Sequence, residues 1–459
     1  MTLTDEPAET AEHEMSDDTK KLGTASALSI GIGGMVGGGI FAVTGLTVQL
    51  TRGAAPLAFV VSGVVALLTS YSYLKLTLRY PSPGGTVEFL NRGFGSGVIT
   101  GAANILLCFS YVVLLSVYAY AFGSYAASFF SEPVRATVLH TLITGVVVGL
   151  AVLNYFGADL VVRSENFFNA VKMLLLAVFV VVGLCTPMEW GRAAPDNFVD
   201  PLSLVSGAMV IFLNYEGFEL IANAACDIKD PKRSLPFAYV GGVLIVMACY
   251  VLIALVVIGH MSFAEVAKTS DYALSAAAGR FMGRPGYVMV AVAAILATSS
   301  AINATFYSSG RLTYIIAKSG ELPSELERSV HGQPLEGMLL FAGLTLVIAN
   351  FVPLDAIATM GSAGFLLIFL AVNLANVRLA DSTESRSWLS LLGAAACAVA
   401  LVIVCAETEE NPASRWHLWI LVGMILASLL IEVVYRSLTG RSIHLGHGRH
   451  ARHRHVKRD

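Results

Sequence analysis

The chain has 459 residues, of which 56% are hydrophobic and 13% charged, with a net charge of −3 and a mean hydropathy of +0.70. An ordinary soluble domain carries about 25% charged residues, and a single soluble core stops growing near roughly 250–300 residues. A typical cytosolic enzyme is therefore excluded, lipid is the expected solvent, and any charge found inside an apolar segment becomes a functional candidate.

The first 21 residues are polar and acidic (Asp5, Glu6, Glu9, Glu12, Glu14, Asp17, Asp18). They lack the form of a cleavable signal peptide and predict a solvated tail. Crossing the hydrocarbon core takes about 20 predominantly apolar residues. Twelve such spans are predicted, at 23–50, 55–79, 98–129, 134–154, 163–186, 201–225, 236–260, 285–317, 338–352, 355–378, 388–406 and 416–436. They predict an all-α membrane protein, with a core over 22–378, two additional helices over 388–436 and a basic tail over 437–459.

Within the first span, six of the nine residues from Gly31 to Gly39 are glycine, each costing a helix about 1 kcal/mol relative to Ala. A dinucleotide loop fails, because Val36 stands where G-x-G-x-x-G needs its last glycine and no strand precedes it. Two readings remain: a helix-packing seam, since Gly33/Gly37 and Gly34/Gly38 have small-xxx-small spacing, and an unwound segment whose freed N–H groups bind an anion. The fifth span holds Lys172, nine residues past Arg163 and so about 13 Å along a helix axis. It either snorkels to an interface or exchanges its proton during a transport cycle.

The sixth span reads Phe212-Leu213-Asn214-Tyr215-Glu216-Gly217-Phe218-Glu219. Each charge in such a run costs at least about 2.5–3.5 kcal/mol on insertion scales, so the cluster must face a wet cavity or a partner. Paired interruptions in corresponding helices of two halves are the best sequence pointer to a transporter site, which favours the anion-binding reading of span 1. In span 8, Ser299 and Ser300 are either site hydroxyls or groups that bond their own helix. The six cysteines are scattered without a C-x-x-C pair and read as small core residues. In the C-terminal tail, Arg residues alternate with His444, His447, His450, His453 and His455, the pattern of a basic segment beside anionic headgroups.

Cytoplasmic loops carry the Lys and Arg excess. With the N-terminus inside, 21 of the 29 Lys and Arg fall on the cytoplasmic face, Arg436 among them, and seven on the other, leaving Lys172 unplaced. Both termini are then cytoplasmic.

Four segments carry a family resemblance: the glycine-rich start of span 1 ending Gly39-Ile40-Phe41, the loop Tyr80-Pro81-Ser82-Pro83-Gly84-Gly85, the run Phe212–Phe218 with the following Asp227–Pro236, and Ala297–Thr305. In that order they resemble the amino acid, polyamine and organocation (APC) transporter superfamily, over about Lys20 to Arg436. The resemblance implies a five-plus-five inverted repeat of the LeuT type with discontinuous helices 1 and 6. It implies that a substrate carboxylate meets N–H groups of Gly37, Gly38 and Gly39 and an amino group meets carbonyls near Leu213 and Asn214. Met35, Tyr111 and Glu216 would be side-chain walls. Asn166-x-x-Asn169-x-x-Lys172 is similar to the fifth helix of proton-coupled members, where a lysine replaces a coupling sodium ion. There it would bridge the Gly33 carbonyl and the hydroxyls of Ser299 and Ser300.

The expected function is proton-coupled amino-acid symport in the cell membrane by alternating access, with no cofactor and no nucleic-acid partner. Glu216 departs from the apolar or small residue expected of a broad neutral-substrate carrier and keeps a cationic amino-acid or polyamine transporter or exchanger in view. Glu216 and Glu219 are rival proton carriers. An intramembrane enzyme lacks its constellation, since neither H-E-x-x-H nor G-x-S-x-G is present.

Overall fold

In lipid every backbone polar group must be satisfied within the protein, which leaves helices or closed barrels as the only spanning forms. The computed structural model describes residues 22–156, 159–318 and 335–439, without the side chains of 156–167, 318 and 335. The N-terminal tail, residues 440–459 of the C-terminal tail, Arg328 and the side chains of Arg163, Asn166 and Lys318 thus lie outside the described residues. Within them the chain is helical with no strand, and only two isolated bridges occur, Leu22 with Ile228 and Arg52 with Phe198.

The first span is two helices, α1 (Thr24–Met35) and α2 (Gly39–Thr51), bent by 48°. Then come α3 (Ala55–Arg79), α4 (Val98–Ala127), α5 (Glu132–Phe156) and α6 (Asp159–Cys185). The sixth span is broken by 50° between α7 (Pro201–Val210) and the segment Phe212–Asn223, which ends in the single turn α8 (Leu220–Asn223). Asp200 starts α7, its carboxylate accepting from the N–H groups of Leu202 and Ser203 with Pro201 at the first helical position. The remaining long helices are α9 (Gly242–His260), α10 (Ala273–Lys318), α11 (Leu335–Phe351), α12 (Leu354–Arg378), α13 (Ser387–Glu410) and α14 (Trp416–Thr439).

Among the described residues nine helical segments are long and apolar enough to cross a membrane, eleven if each bent pair is one span, and α11 is apolar but shorter. One predicted boundary needs correction. The seventh span reaches α9 through a helical turn at Pro231–Pro236 and a wide π-type turn at Phe237–Gly241. The eighth starts where predicted: the helical run from Ala273 is interrupted at Gly283, whose φ of 65° and ψ of −160° are non-helical and open to glycine, and the helix beyond it carries Pro285 in its first turn. Helix α10 packs on α4 and α6, α9 on α3 and α1, and α13 on α12, α7 and α3. The broken helices are enclosed by these contacts.

Arg436, assigned above to a cytoplasmic loop, is buried in the last turns of α14. It is paired with the buried Glu432 one turn earlier and donates to the Ser96 carbonyl (3.2 Å). Lys172 is therefore not the sole buried cation. A side chain at Gly101 would collide with the Glu432 carboxylate, so that glycine makes room for the ion pair. Because Glu432 and Arg436 sit four residues apart on one helix face, the pair was open to a sequence reader who looked for i,i+4 charges inside a span.

Candidate functional site

The two breaks touch. Gly217 has φ +120°, and a Cβ on Gly34 would lie 2.9 Å from Gly217 Cα, so backbone meets backbone where α1 ends and span 6 unwinds. The groups freed by unwinding are taken up by neighbouring side chains. Tyr250 of α9 donates its hydroxyl to the Met35 carbonyl (2.6 Å) and lies 3.1 Å from the Asn214 carbonyl, joining both breaks. Ser362 of α12 donates to the Val210 carbonyl (2.7 Å) and accepts from the Leu213 N–H (3.1 Å). Ser62 of α3 donates to the Ala208 carbonyl. Each replaces a helix hydrogen bond that the break removed.

Beside the contact lies a cavity of about 220 Å³, walled by Gly33 and Gly34 of α1, Tyr111 and Tyr118 of α4, Lys172 of α6, Glu216 and Glu219 of span 6, and Ser300 of α10. It extends past Asn223 and Asp227 to Arg311. The Lys172 ammonium, 3% exposed, donates to the Gly33 carbonyl (2.9 Å). Asn169, one turn earlier, packs so closely on Gly33 that a Cβ there would collide with its amide. Glu219 accepts from the Tyr111 hydroxyl (3.0 Å) and the Gly217 N–H (2.7 Å). Glu216 is 1% exposed; neither of its carboxyl oxygens accepts from an N–H or O–H donor among the described residues, and its carboxyl group lies within hydrogen-bonding reach of that of Glu219.

Of the sequence-predicted residues, the structure brings Gly33, Tyr111, Lys172, Glu216 and Ser300 to one cavity. It does not bring the others there. The Ser299 hydroxyl donates to the Ile295 carbonyl of its own helix (2.7 Å). Gly37, Gly38 and Gly39 are covered. A Cβ on Gly38 would lie 2.6 Å from the Tyr118 ring and 2.9 Å from Thr298 Cγ2, and one on Gly39 would collide with the Asn214 amide. Gly38 caps α2, whose first hydrogen bond to it comes from Ala42 (3.0 Å). The N–H groups of the preceding first turn therefore have no carbonyl of that helix to bond. Met35, Leu213 and Asn214 are buried between the breaks rather than at the cavity wall, and the Asn214 amide lacks a hydrogen-bond partner among the described residues.

Sequence reading missed Tyr118, Tyr250, Thr298 and Ser362. A tyrosine or serine inside an apolar span is common, and only the tertiary contact distinguishes these four. Asn214 and Glu216 were legible because amide and carboxylate heads are costly in lipid.

Two discontinuous helices meeting at a buried polar cavity, in a helical protein crossing the membrane many times, define a carrier whose site handles small polar solutes. The amino acid permease family profile matches residues 22–430, and the chain belongs to that family. It is a multi-pass membrane transporter of amino acids and not an enzyme. It is 33% identical to the uncharacterized protein MJ0609 of Methanocaldococcus jannaschii over 430 residues, 92% of this chain and 97% of that protein. It is 32% identical to the inner membrane transport protein YbaT of Escherichia coli over 427 residues, 92% and 98% of the two chains. The methylthioribose transporter of Bacillus subtilis is 26% identical over 395 residues, covering 79% of this chain and 82% of that one.

Proposed function

We propose that the protein is a proton-coupled amino-acid symporter of the cell membrane, working by alternating access with both termini cytoplasmic. On this reading twelve helices cross the bilayer, the first ten form an inverted repeat over 22–378, and the helices over 388–436 are added to it. The observation that carries the reading is the Lys172 ammonium on the Gly33 carbonyl at the end of α1 (2.9 Å). A charged ammonium holds α1 to α6. Once deprotonated, the amine has one donor fewer and no charge to attract the carbonyl dipole, so α1 is released to move. Proton binding and the position of the first half-helix are thereby linked, as a ligand that binds one conformation better must shift the equilibrium toward it. Substrate is held at the two breaks once Tyr118 and Asn214 withdraw from the glycine segment they cover in this conformation, its carboxylate by the first-turn N–H groups of α2 and its amino group by carbonyls of the unwound sixth span.

Purified protein in sodium-free liposomes is expected to accumulate labelled amino acids when the outside is acidified, and to stop when a protonophore collapses the gradient. Accumulation that requires sodium and ignores pH overturns the coupling. A second reading is supported by the buried pair of Glu216 and Glu219 at the cavity wall: the Glu216 carboxylate meets the cationic side chain of a basic amino acid or polyamine. Competition among alanine, glutamate, arginine and putrescine decides between neutral and cationic substrates.

A further inference from the structure

Glu216 and Glu219 flank the unwound turn of the sixth span, with Gly217 between them at φ +120°. Both line the cavity and both are buried, at 1% and 2% exposure. Their carboxyl groups lie within hydrogen-bonding reach of each other. A hydrogen bond needs a donor, and two ionised carboxylates supply none. Facing each other in a low-dielectric interior, two such anions repel. A single proton turns that repulsion into a charge-assisted O–H···O bond.

The surrounding donors decide which carboxyl holds the proton. Glu219 accepts twice, from the Tyr111 hydroxyl of α4 (3.0 Å) and from the Gly217 N–H (2.7 Å), so a negative charge there is solvated by the protein. Neither oxygen of Glu216 accepts from an N–H or O–H among the described residues, and a buried charge without a donor is costly. Other titratable groups face the pair from each neighbouring element. The phenols of Tyr73 on α3 and Tyr239 in the π-type turn are engaged with Thr86 (2.8 Å) and Thr77 (2.9 Å). Tyr118 of α4 lies beside Gly38, and the Lys172 ammonium of α6 donates to the Gly33 carbonyl. Asp227, Tyr307 and Arg311 line the same cavity further along.

We propose that Glu216 and Glu219 carry one proton between them, resident on Glu216 and donated to Glu219, and that the pair is a second proton-exchange site beside Lys172. The two sites act on different breaks: Lys172 holds the end of α1, and the acid pair holds the turn of span 6. With the proton in place, Glu216 is drawn to Glu219, which is itself fixed to Gly217 and to α4 through Tyr111. When the O–H bond of Glu216 breaks, the proton leaves to solvent and two carboxylates remain. Their repulsion parts them and loosens the turn. Proton occupancy of the pair is thereby linked to the shape of the sixth-span break. The inference rests on the symport reading only in assigning the released proton to the transport cycle; its residence on Glu216 is a property of the pair.

The test is difference infrared spectroscopy of the full-length protein in detergent, for wild type, Glu216→Gln, Glu219→Gln and Lys172→Ala, with the pH stepped upward through neutrality. The expected result is a protonated-carboxyl C=O stretch in wild type that fades as the pH rises, since the proton is bound on the acid side and lost on the alkaline side. The band is missing from Glu216→Gln, shifted or removed in Glu219→Gln, and retained in Lys172→Ala. Because glutamine keeps an N–H donor toward Glu219, Glu216→Gln should also fold. Its melting temperature should fall less steeply with rising pH than that of wild type, a change that a merely structural role for Glu216 would not produce. A wild-type protein without such a band, a band that both glutamine substitutions leave unchanged, or its loss in Lys172→Ala overturns the proposal. Loss of proton drive in liposomes with the band and its pH dependence intact would count against the symport reading alone.

Discussion

Lys172 gives its ammonium to the Gly33 carbonyl at 2.9 Å while almost fully buried. On the proposed mechanism Lys172→Ala abolishes proton-driven accumulation, while equilibrium substrate binding in detergent survives. Unchanged accumulation in that variant would transfer the proton to Glu216 or Glu219. Tyr250 acts differently, since on the proposed mechanism its hydroxyl serves structure alone, offering its one proton to the Met35 carbonyl with the Asn214 carbonyl close by. Tyr250→Phe keeps the ring, which packs on Phe59 and Tyr215, and removes only the bond. It should cost about 0.5–1.5 kcal/mol, plus the penalty of a carbonyl left without a donor, read as a lowered melting temperature in detergent with the pH dependence of uptake preserved. Lysine and glutamate were visible in the sequence because a charge in an apolar run stands out whatever surrounds it. Tyr250 was not, because a phenol is at home in lipid-facing and buried positions alike.

At the scale of elements, the breaks in spans 1 and 6 are maintained by glycines and by borrowed hydrogen bonds. Gly217 has φ +120° and its missing Cβ would run into the Gly34 carbonyl carbon, so Gly217→Ala is both strained and obstructed by backbone. It should destabilise the fold by several kcal/mol and reduce the yield of monodisperse protein on size exclusion, whereas Gly145→Ala, which meets no neighbour, should not. Ser362→Ala leaves the Val210 carbonyl and the Leu213 N–H without their partner and is expected to cost about 1–3 kcal/mol, measured by thermal unfolding. The interruptions themselves were legible, as six glycines in nine residues oppose a helix and Asn214, Glu216 and Glu219 oppose lipid. Span limits were read to within a few residues for α3, α4 and α12. The start of the eighth span at 285 coincides with the break at Gly283, whose non-helical backbone separates it from the helical run that begins at Ala273.

Over the whole molecule, the closed contact between the breaks separates two cavities at opposite ends of the broken helices. The one described above reaches Ile30 and Asp227, and a second, of about 610 Å³, reaches Leu50 and Ser203. On the proposed orientation, the cavity reaching Asp227 and Arg311 faces the side of the termini. In a variant without the native cysteines, Ser308→Cys should react with a membrane-impermeant maleimide only from that side, and Ser203→Cys only from the other. Labelling of both from one side would overturn the orientation. Sequence alone determined that the chain lives in lipid, where it breaks its first and sixth spans and which charges it hides, because the free energy of a charge or a glycine in a membrane helix depends mainly on its own chemistry. Only the tertiary structure decided that Gly37 to Gly39 are covered by Tyr118 and Asn214, that Ser300 rather than Ser299 reaches the cavity, and that α13 and α14 wall a second one. Those outcomes depend on how separate helices rotate and pack, and such contacts are set by distances between residues far apart in the chain.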